Sequence, residues 1–475
     1  MTPEAGPRAE QTGSQPGPVT DLADARTGAP LMTASTSGAA TWRTDHSAAL
    51  YVRARRSITD GTSRDTLLRK GGHPIYVDHG DGAWVTDVDG NRYLDCNNNF
   101  ASIIIGHADP TIAAAVQERM SRGTAFSFPN DAEVELAELL CGRVESFELI
   151  RFCNSGTEAV MAALKAARAY TGRPNVIKVE GAYHGTYDHA EASQSPDPTN
   201  WGDPAAPPTV RYAAGTPASV EDEVGIISFN DAEGARTAIR RSGDRLAAVL
   251  LDVMPNRVGM PAIEPDFIQA IRDTTREVGA LLVLDEVISF RLGYGGAQSK
   301  LGIDPDITTL AKIIGGGFPV GAIAGRLGPM ETFVRVAGNR AKVPSGGTFA
   351  ANPITMTAGH AAMTLLDRDA FARLDTIGDH VRSGLRAVFD GAGVGWQVTG
   401  AGSLFRVHPH RRTIRNYRDS HLSSDETVEI TEFGRRMQSH GVYFIAEGLG
   451  CLSLATSDGD VEHFLEAAEA SLPRP

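Results

Sequence analysis

The chain has 475 residues, 41% of them apolar, and sets 45 basic against 58 acidic side chains for a formal charge of −13. That length and apolar share suit two or three packed units with a real core, and no run approaches the roughly 18 apolar residues that cross a bilayer, which excludes a membrane-spanning protein. The acidic balance carries no basic block above it and argues against a nucleic-acid partner.

Cys96, Cys141, Cys153 and Cys451 lie far apart, with neither CxxC spacing nor the density of a disulfide scaffold. They read as buried thiols in a reducing compartment. No basic stub followed by an apolar stretch opens the chain. A cytoplasmic location is expected, and no metal site is assigned.

Residues 1–46 are rich in Gly, Pro, Ser, Thr and Ala, and their few apolar residues keep no helical or strand period. Such a stretch buries too little surface to offset its own ordering, which predicts a disordered tail. Residues 47–110 hold the next segment. In it Ile75-Tyr76-Val77, Ala83-Trp84-Val85 and Tyr93-Leu94 are β-rich runs broken by Asp81-Gly82 and Asp89-Gly90, a small strand meander. Helical spacing follows at Ile112, Ala115, Val116 and Met120, and again over Glu133 to Arg143.

Residues 111–351 form the large domain. Strand-like runs at Leu149 to Cys153, Val176 to Val179, Leu246 to Leu251, Ala280 to Leu284 and Ile307 to Leu310 alternate with helices such as Thr157 to Tyr170 and Pro265 to Val278. Apolar strands between amphipathic helices predict an α/β unit with a mostly parallel sheet, whose ligands sit at the carboxyl ends of the strands. Residues 352–475, with an Ala- and Met-rich helix, short strands and a helix over Val461 to Ala470, predict a smaller C-terminal α/β domain.

Four features carry chemistry. Asn154-Ser155-Gly156-Thr157-Glu158 stands between a strand and a helix, where free N–H groups and the helix dipole make a phosphate cradle; an ordinary N-cap uses the same residues. Asp285 ends a buried strand and needs a partner, either a protonated ring nitrogen, an arginine or a metal ion. Lys312 is flanked by Leu310, Ile313 and Ile314 ahead of Gly315-Gly316-Gly317. A poorly solvated amine there is nucleophilic toward an aldehyde, the alternative being a lysine that snorkels to the surface. Only six lysines occur; Lys178 also sits in a strand-like run but lacks a glycine-rich approach, so Lys312 is the better nucleophile. Gly181-Ala182-Tyr183-His184-Gly185 places a ring and an imidazole at a turn, where Tyr183 either stacks on a flat heterocycle or simply packs. Together an anchor, a strand-end acid, a buried amine and a stacking ring meet the needs of pyridoxal 5′-phosphate (PLP).

With Leu284-Asp285-Glu286-Val287, Pro319-Val320-Gly321, Gly347-Thr348 and Asn352-Pro353, these runs resemble the class III aminotransferases over roughly Arg53 to Leu472. Thr171-Gly172-Arg173, Gly302-Ile303 and Asp306 to Leu310 are similar to glutamate-1-semialdehyde aminomutase and the β-amino-acid aminotransferases. The resemblance implies a fold-type I PLP-dependent transferase and a homodimer with active sites at the subunit interface. By matching motif, Lys312 would form the internal aldimine and serve as base, and Asp285 would keep the pyridine nitrogen protonated. Ser155, Gly156 and Thr157 would bind the phosphate. Tyr183 and Val287 would cover the two faces of the ring, with His184 in the cofactor site. Thr348 would reach the phosphate of the neighbouring subunit.

The same resemblance makes Arg64 the candidate for a substrate carboxylate, against the alternative of a surface arginine. Two positions depart from the family: Leu251-Asp252-Val253 stands where Glu-Pro is usual, and Glu447 falls where some β-amino-acid aminotransferases carry a second carboxylate-binding arginine. An acid at 447 would repel a dicarboxylate. The implied activity is amino transfer or amino migration on a small amino acid or amine. The alternative is elimination, decarboxylation or carbon–carbon bond formation on the same cofactor.

Overall fold

The computed structural model describes residues 42–67, 72–444 and 447–473. Most of the expected tail, up to residue 41, lies outside the described residues. The chain divides into two units, Met1–Tyr76 and Val77–Pro475. In the first, a helix at Asp45–Ala54 begins two residues inside the stretch expected as tail. Tyr76 returns to that helix, its N–H donating to Ser47 Oγ at 3.3 Å.

The second unit opens with β1 (Val77–Asp81), β2 (Trp84–Asp87) and β3 (Arg92–Asp95), an antiparallel meander. The first strand starts at Val77 rather than at Ile75. Then come β4 (Leu149–Cys153), β5 (Asn175–Val179), β6 (Val224–Ile227), β7 (Leu246–Leu251), β8 (Leu281–Asp285), β9 (Ile307–Ala311) and β10 (Gly321–Gly325). They form one sheet in the order β4-β10-β9-β8-β7-β5-β6. All neighbours are parallel except β10, which runs against both β4 and β9. The sheet is therefore mixed and mostly parallel. Every residue of β7, β8 and β9 is buried, as strands covered on both faces must be.

Because β4 is antiparallel to β10 and β10 is antiparallel to β9, β4 and β9 point the same way. The carboxyl ends of β4, β9, β8, β7 and β5 thus share one edge of the sheet, and the chemistry-bearing residues of the sequence follow those ends. Helix Gly156–Thr171 packs on β7, β9 and β10 through Ala159, Val160, Ala163, Leu164 and Ala167; small residues let it approach closely.

The C-terminal part adds β11 (Gln397–Thr399), β12 (Leu404–His408), β13 (Val442–Tyr443) and β14 (Leu449–Cys451). Three of these form a sheet in the order β11-β12-β14, whereas β13 pairs in parallel with β3 and completes the meander as a fourth strand. The C-terminal region also shares a core with the large sheet: Phe405, Phe433, Phe444 and Phe464 belong to the same buried cluster as Leu136, Phe147, Leu310 and Ile314.

Candidate active site

Glycine geometry sets the spacing of the site. Gly321, the first residue of β10, pairs with Cys153 on one side and Ala311 on the other, so the strand end leading to Ser155 and the one leading to Lys312 flank it. A Cβ at Gly321 would stand 2.1 Å from the Ser155 carbonyl oxygen, which is why the backbone of the cradle can rest there only on glycine. Gly316 has φ +57°, and a Cβ on it would meet the Ala358 carbonyl at 2.3 Å. The loop after Lys312 is therefore pressed against the helix Pro353–Leu365.

At the cradle, Ser155 caps the 16-residue helix, its Oγ accepting from Glu158 N at 3.1 Å. The capping reading is thus correct for Ser155. The N–H groups of Gly156 and Thr157, the first two helical residues, have no partner among the described residues and remain available to an anion. Val287 lies against this turn, since a Cβ at Gly156 would sit 3.1 Å from both of its methyl groups.

Asp285 ends β8 and is buried. Its carboxylate accepts from His184 Nδ1 at 2.7 Å, Val287 N at 3.0 Å and Thr309 Oγ1 at 3.1 Å. Thr309 faces Asp285 in the β8–β9 register. His184 is buried; burial lowers its imidazole from the ordinary value while Asp285 opposes the fall. Its Nε2 has no partner among the described residues. The side-chain partner that Asp285 acquires is an imidazole, and no arginine pairs with it among the described residues.

Lys312 follows β9 directly and has φ +53°, a left-handed conformation that costs a non-glycine residue and persists where packing enforces it. It enters no hydrogen bond or ion pair among the described residues. Burial draws its amine below the ordinary lysine value; Asp285, Cys451 and Asp252 oppose that shift, and Arg291 adds to it. Asp252, next to β7, accepts through Oδ1 from Met254 N at 2.8 Å. Burial, then the charges of Asp285 and Glu286, raise its carboxyl well above the usual range, against the Met254 N–H and Lys312, which lower it.

Tyr183 stands at the same edge after β5, 45% exposed, with the Arg257 guanidinium 5.2 Å from its ring centre. Glu447 sits in the turn before β14, where its charge acts on Arg406. Thr348 is exposed. Arg64 is exposed in the first unit, its N–H donating to Thr62 Oγ1 at 3.3 Å. The structure thus brings Ser155, Gly156, Thr157, Tyr183, His184, Asp285, Val287 and Lys312 to one sheet edge.

Lys178, the discarded lysine, is wholly buried and donates to the carbonyls of Val179, Ala182 and Ala192 at 3.3, 3.0 and 2.7 Å. Burial lowers it to about 7, yet its three acceptors leave it tied to the backbone. Sequence reasoning missed Thr309, which reads as an ordinary strand residue. It also missed Arg291, fully buried and donating to Ala101 O at 2.9 Å, Ser403 Oγ at 3.1 Å and Leu452 O at 2.7 Å.

This edge, with its free N–H pair, strand-end carboxylate and unbonded amine, defines the fold-type I PLP-dependent enzymes. Residues 68–467 match the family Aminotransferase class-III. The chain is 37% identical to a glutamate-1-semialdehyde 2,1-aminomutase of Methanothermobacter thermautotrophicus, over 89% of this chain and 98% of that one. A solved ω-transaminase from Sphaerobacter thermophilus superimposes with a TM-score of 0.87 and 45% identity, covering 90% of this chain and 97% of the other. A β-phenylalanine aminotransferase from Variovorax paradoxus gives a TM-score of 0.79 and 33% identity over 90% and 94% of the two chains. The chain belongs to the class III aminotransferase family. It is a PLP-dependent enzyme of the aminotransferase and aminomutase kind.

The residues present fit that cofactor. Two orphan N–H donors suit a phosphate, the unbonded Lys312 amine suits an aldehyde, and the Asp285 carboxylate, already oriented by three donors, keeps acceptor capacity for a fourth.

Proposed function

We propose that the chain moves an amino group to or from a small amino acid or amine at this edge, with each residue in a defined role. Ser155, Gly156 and Thr157 hold the phosphate, Tyr183 and Val287 take the two faces of the ring, and Lys312 holds the cofactor covalently. When bound, PLP supplies the electron sink that makes a proton on substrate Cα removable. Asp285 would hold the ring nitrogen, where a carboxylate favours the protonated form. His184 orients Asp285 from behind by donating through Nδ1. The Lys312 amine, drawn down by burial, would be the base that takes and returns the proton at Cα.

The observation that carries this reading is the left-handed, unbonded Lys312 placed one strand away from Asp285. The remaining assignments rest on the family. Thr348 reaches the phosphate of a second copy in a homodimer, Arg64 is the position that the family motif offers for a substrate carboxylate, and Glu447 disfavours a dicarboxylate. The enzyme works in the cytoplasm.

Mixing the loaded enzyme with single amino donors in the absence of an acceptor tests the reaction class. Amino transfer converts the cofactor to its amine form and abolishes the visible absorbance with release of one oxo product. Steady release of ammonia or carbon dioxide with the absorbance retained would instead make the reaction an elimination or decarboxylation.

A further inference from the structure

In a chain with 13 excess negative charges, arginines are expected to find acids. Those around β12 do so: Arg411 pairs with Asp390, Arg412 with Glu426, Arg415 with Glu264 and Arg418 with Glu180. Arg257 and Arg406 do not. Neither forms an ion pair among the described residues, although Arg406 is only 6% exposed. A guanidinium that far from water and without a carboxylate costs free energy unless something else supplies negative charge.

The two are structurally joined. Arg406 donates through Nη1 to the Asn256 carbonyl, and lies 3.5 Å from Asn256 Oδ1, on the residue that precedes Arg257. Its Nε is buried with no partner among the described residues. Arg257 is half-buried in the short turn Asn256–Val258, five residues beyond Asp252, and so stands at the active edge of the sheet. It donates to Ser195 Oγ, and its guanidinium lies over Tyr183, the residue assigned to cover the cofactor ring. After burial, which is the larger cause, the charge of Arg257 lowers both Arg406 and Lys178, while Glu447 opposes the fall at Arg406. Two guanidinium groups against the one carboxylate of Glu447 leave a single positive charge.

We propose that Arg257 and Arg406 form the subsite for a carboxylate of the substrate, Arg257 contacting it and the Nε edge of Arg406 completing the grip, with Glu447 limiting the site to one negative charge. The inference rests on the reading that Lys312 carries the cofactor, places the carboxylate on this pair in place of Arg64, and adds the substrate class: an amino or oxo acid with a single carboxylate, rather than a simple amine. It gives the cationic pair a function that structural clamping of Asn256 does not need, because clamping uses only Nη1 of Arg406.

The test compares 3-aminobutanoate with isopropylamine, which differ only by the carboxylate. With the wild-type holoenzyme, apparent Kd values follow from the change in visible absorbance, and the acid is expected to bind more tightly. Arg257→Met should weaken the acid by about tenfold or more, the scale of one lost hydrogen bond to a charged group, and the amine by far less. Should that variant fail to fold, Arg257→Gln carries the same comparison. Equilibrium titration with propanoate, which has no amine, reads the subsite without any chemistry at the cofactor and should show the same loss in the variant. No preference of the wild type for the acid, equal losses for both amines, or propanoate binding unaffected by the variant would overturn the proposal. Wild-type protein that binds propanoate through Arg257 but holds no cofactor on Lys312 would instead sink the cofactor assignment and leave the anion site standing.

Discussion

Asp285→Asn is the sharpest perturbation of the proposed chemistry, because it removes a charge and almost no volume. The amide oxygen can still accept from Val287 N and Thr309 Oγ1, so the strand end should keep its shape. What is lost is the negative charge facing the ring nitrogen. Taking the 2.7 Å His184–Asp285 contact as the guide to how closely a nitrogen approaches, a unit charge pair at an effective dielectric of 20 is worth about 6 kcal/mol. The amide dipole and residual hydrogen bonding recover part of this, leaving about 3 kcal/mol, the upper end for a hydrogen bond to a charged group. A loss of that size slows proton removal at Cα about 10²-fold. Stopped-flow absorbance of the half-reaction with one amino donor measures it, on protein first shown to hold cofactor on Lys312. A variant that keeps its cofactor and reacts within a factor of about three of wild type would refute the role given to Asp285.

Gly321→Ala should cripple the phosphate cradle, since the new methyl would lie 2.1 Å from the Ser155 carbonyl; cofactor affinity by equilibrium dialysis should fall while Gly393→Ala, whose Cβ meets nothing, has no effect on it. Lys178 gives stability a pH signature. Its folded value is about 7 against an ordinary 10.5, so the unfolded chain binds the extra proton between those values and stability rises with pH there. In urea titrations the stability of wild type over Lys178→Met should therefore grow by about 3 kcal/mol from about pH 6.5 to about pH 9.5; parallel pH profiles would show that Lys178 is not held neutral. Arg291→Met strands acceptors at Ala101, Ser403 and Leu452 and should lower stability by about 3 kcal/mol or more, while Arg291→Lys, which retains a donor, should lose less.

Much of this edge was legible because strand ends and helix starts leave marks in a sequence. Asp285 stands out as the first acid after five apolar residues, Ser155 as a cap, and Lys312 as an amine among Leu310, Ile313 and Ile314. Those signals are local. The strand Gly321–Gly325 is built from Gly, Ala and Ile and has no β-rich signature, yet it sets the distance between cradle and lysine. Only its antiparallel direction makes β4 and β9 point alike. Val442 pairs with Leu94 across most of the chain, so no window on the sequence could join the meander to the C-terminal region.

Charge partners were hidden for the same reason. Thr309 looks like any β-branched strand residue until the β8–β9 register sets it opposite Asp285. Arg257 and Arg406 are 149 positions apart and meet through Asn256. A triple asparagine at Asn97-Asn98-Asn99 did carry a hint. Asn98, Asn99, Phe100 and Ala101 all have positive φ, and asparagine tolerates that region best of the non-glycine residues. The turn gives the Ala101 carbonyl to Arg291 and the Asn98 amide to the Cys451 carbonyl at 2.9 Å, so it is held by two of the residues whose charges act on Lys312.

The central claim is that one particular lysine of the six carries the cofactor. Borohydride reduction of the loaded enzyme, followed by proteolysis and mass spectrometry, reads the attachment point directly. One cofactor-derived mass per chain on Lys312 is the predicted result, with none in Lys312→Ala. The label on Lys178, whose buried amine is the nearest rival, or on no lysine at all, would contradict the account.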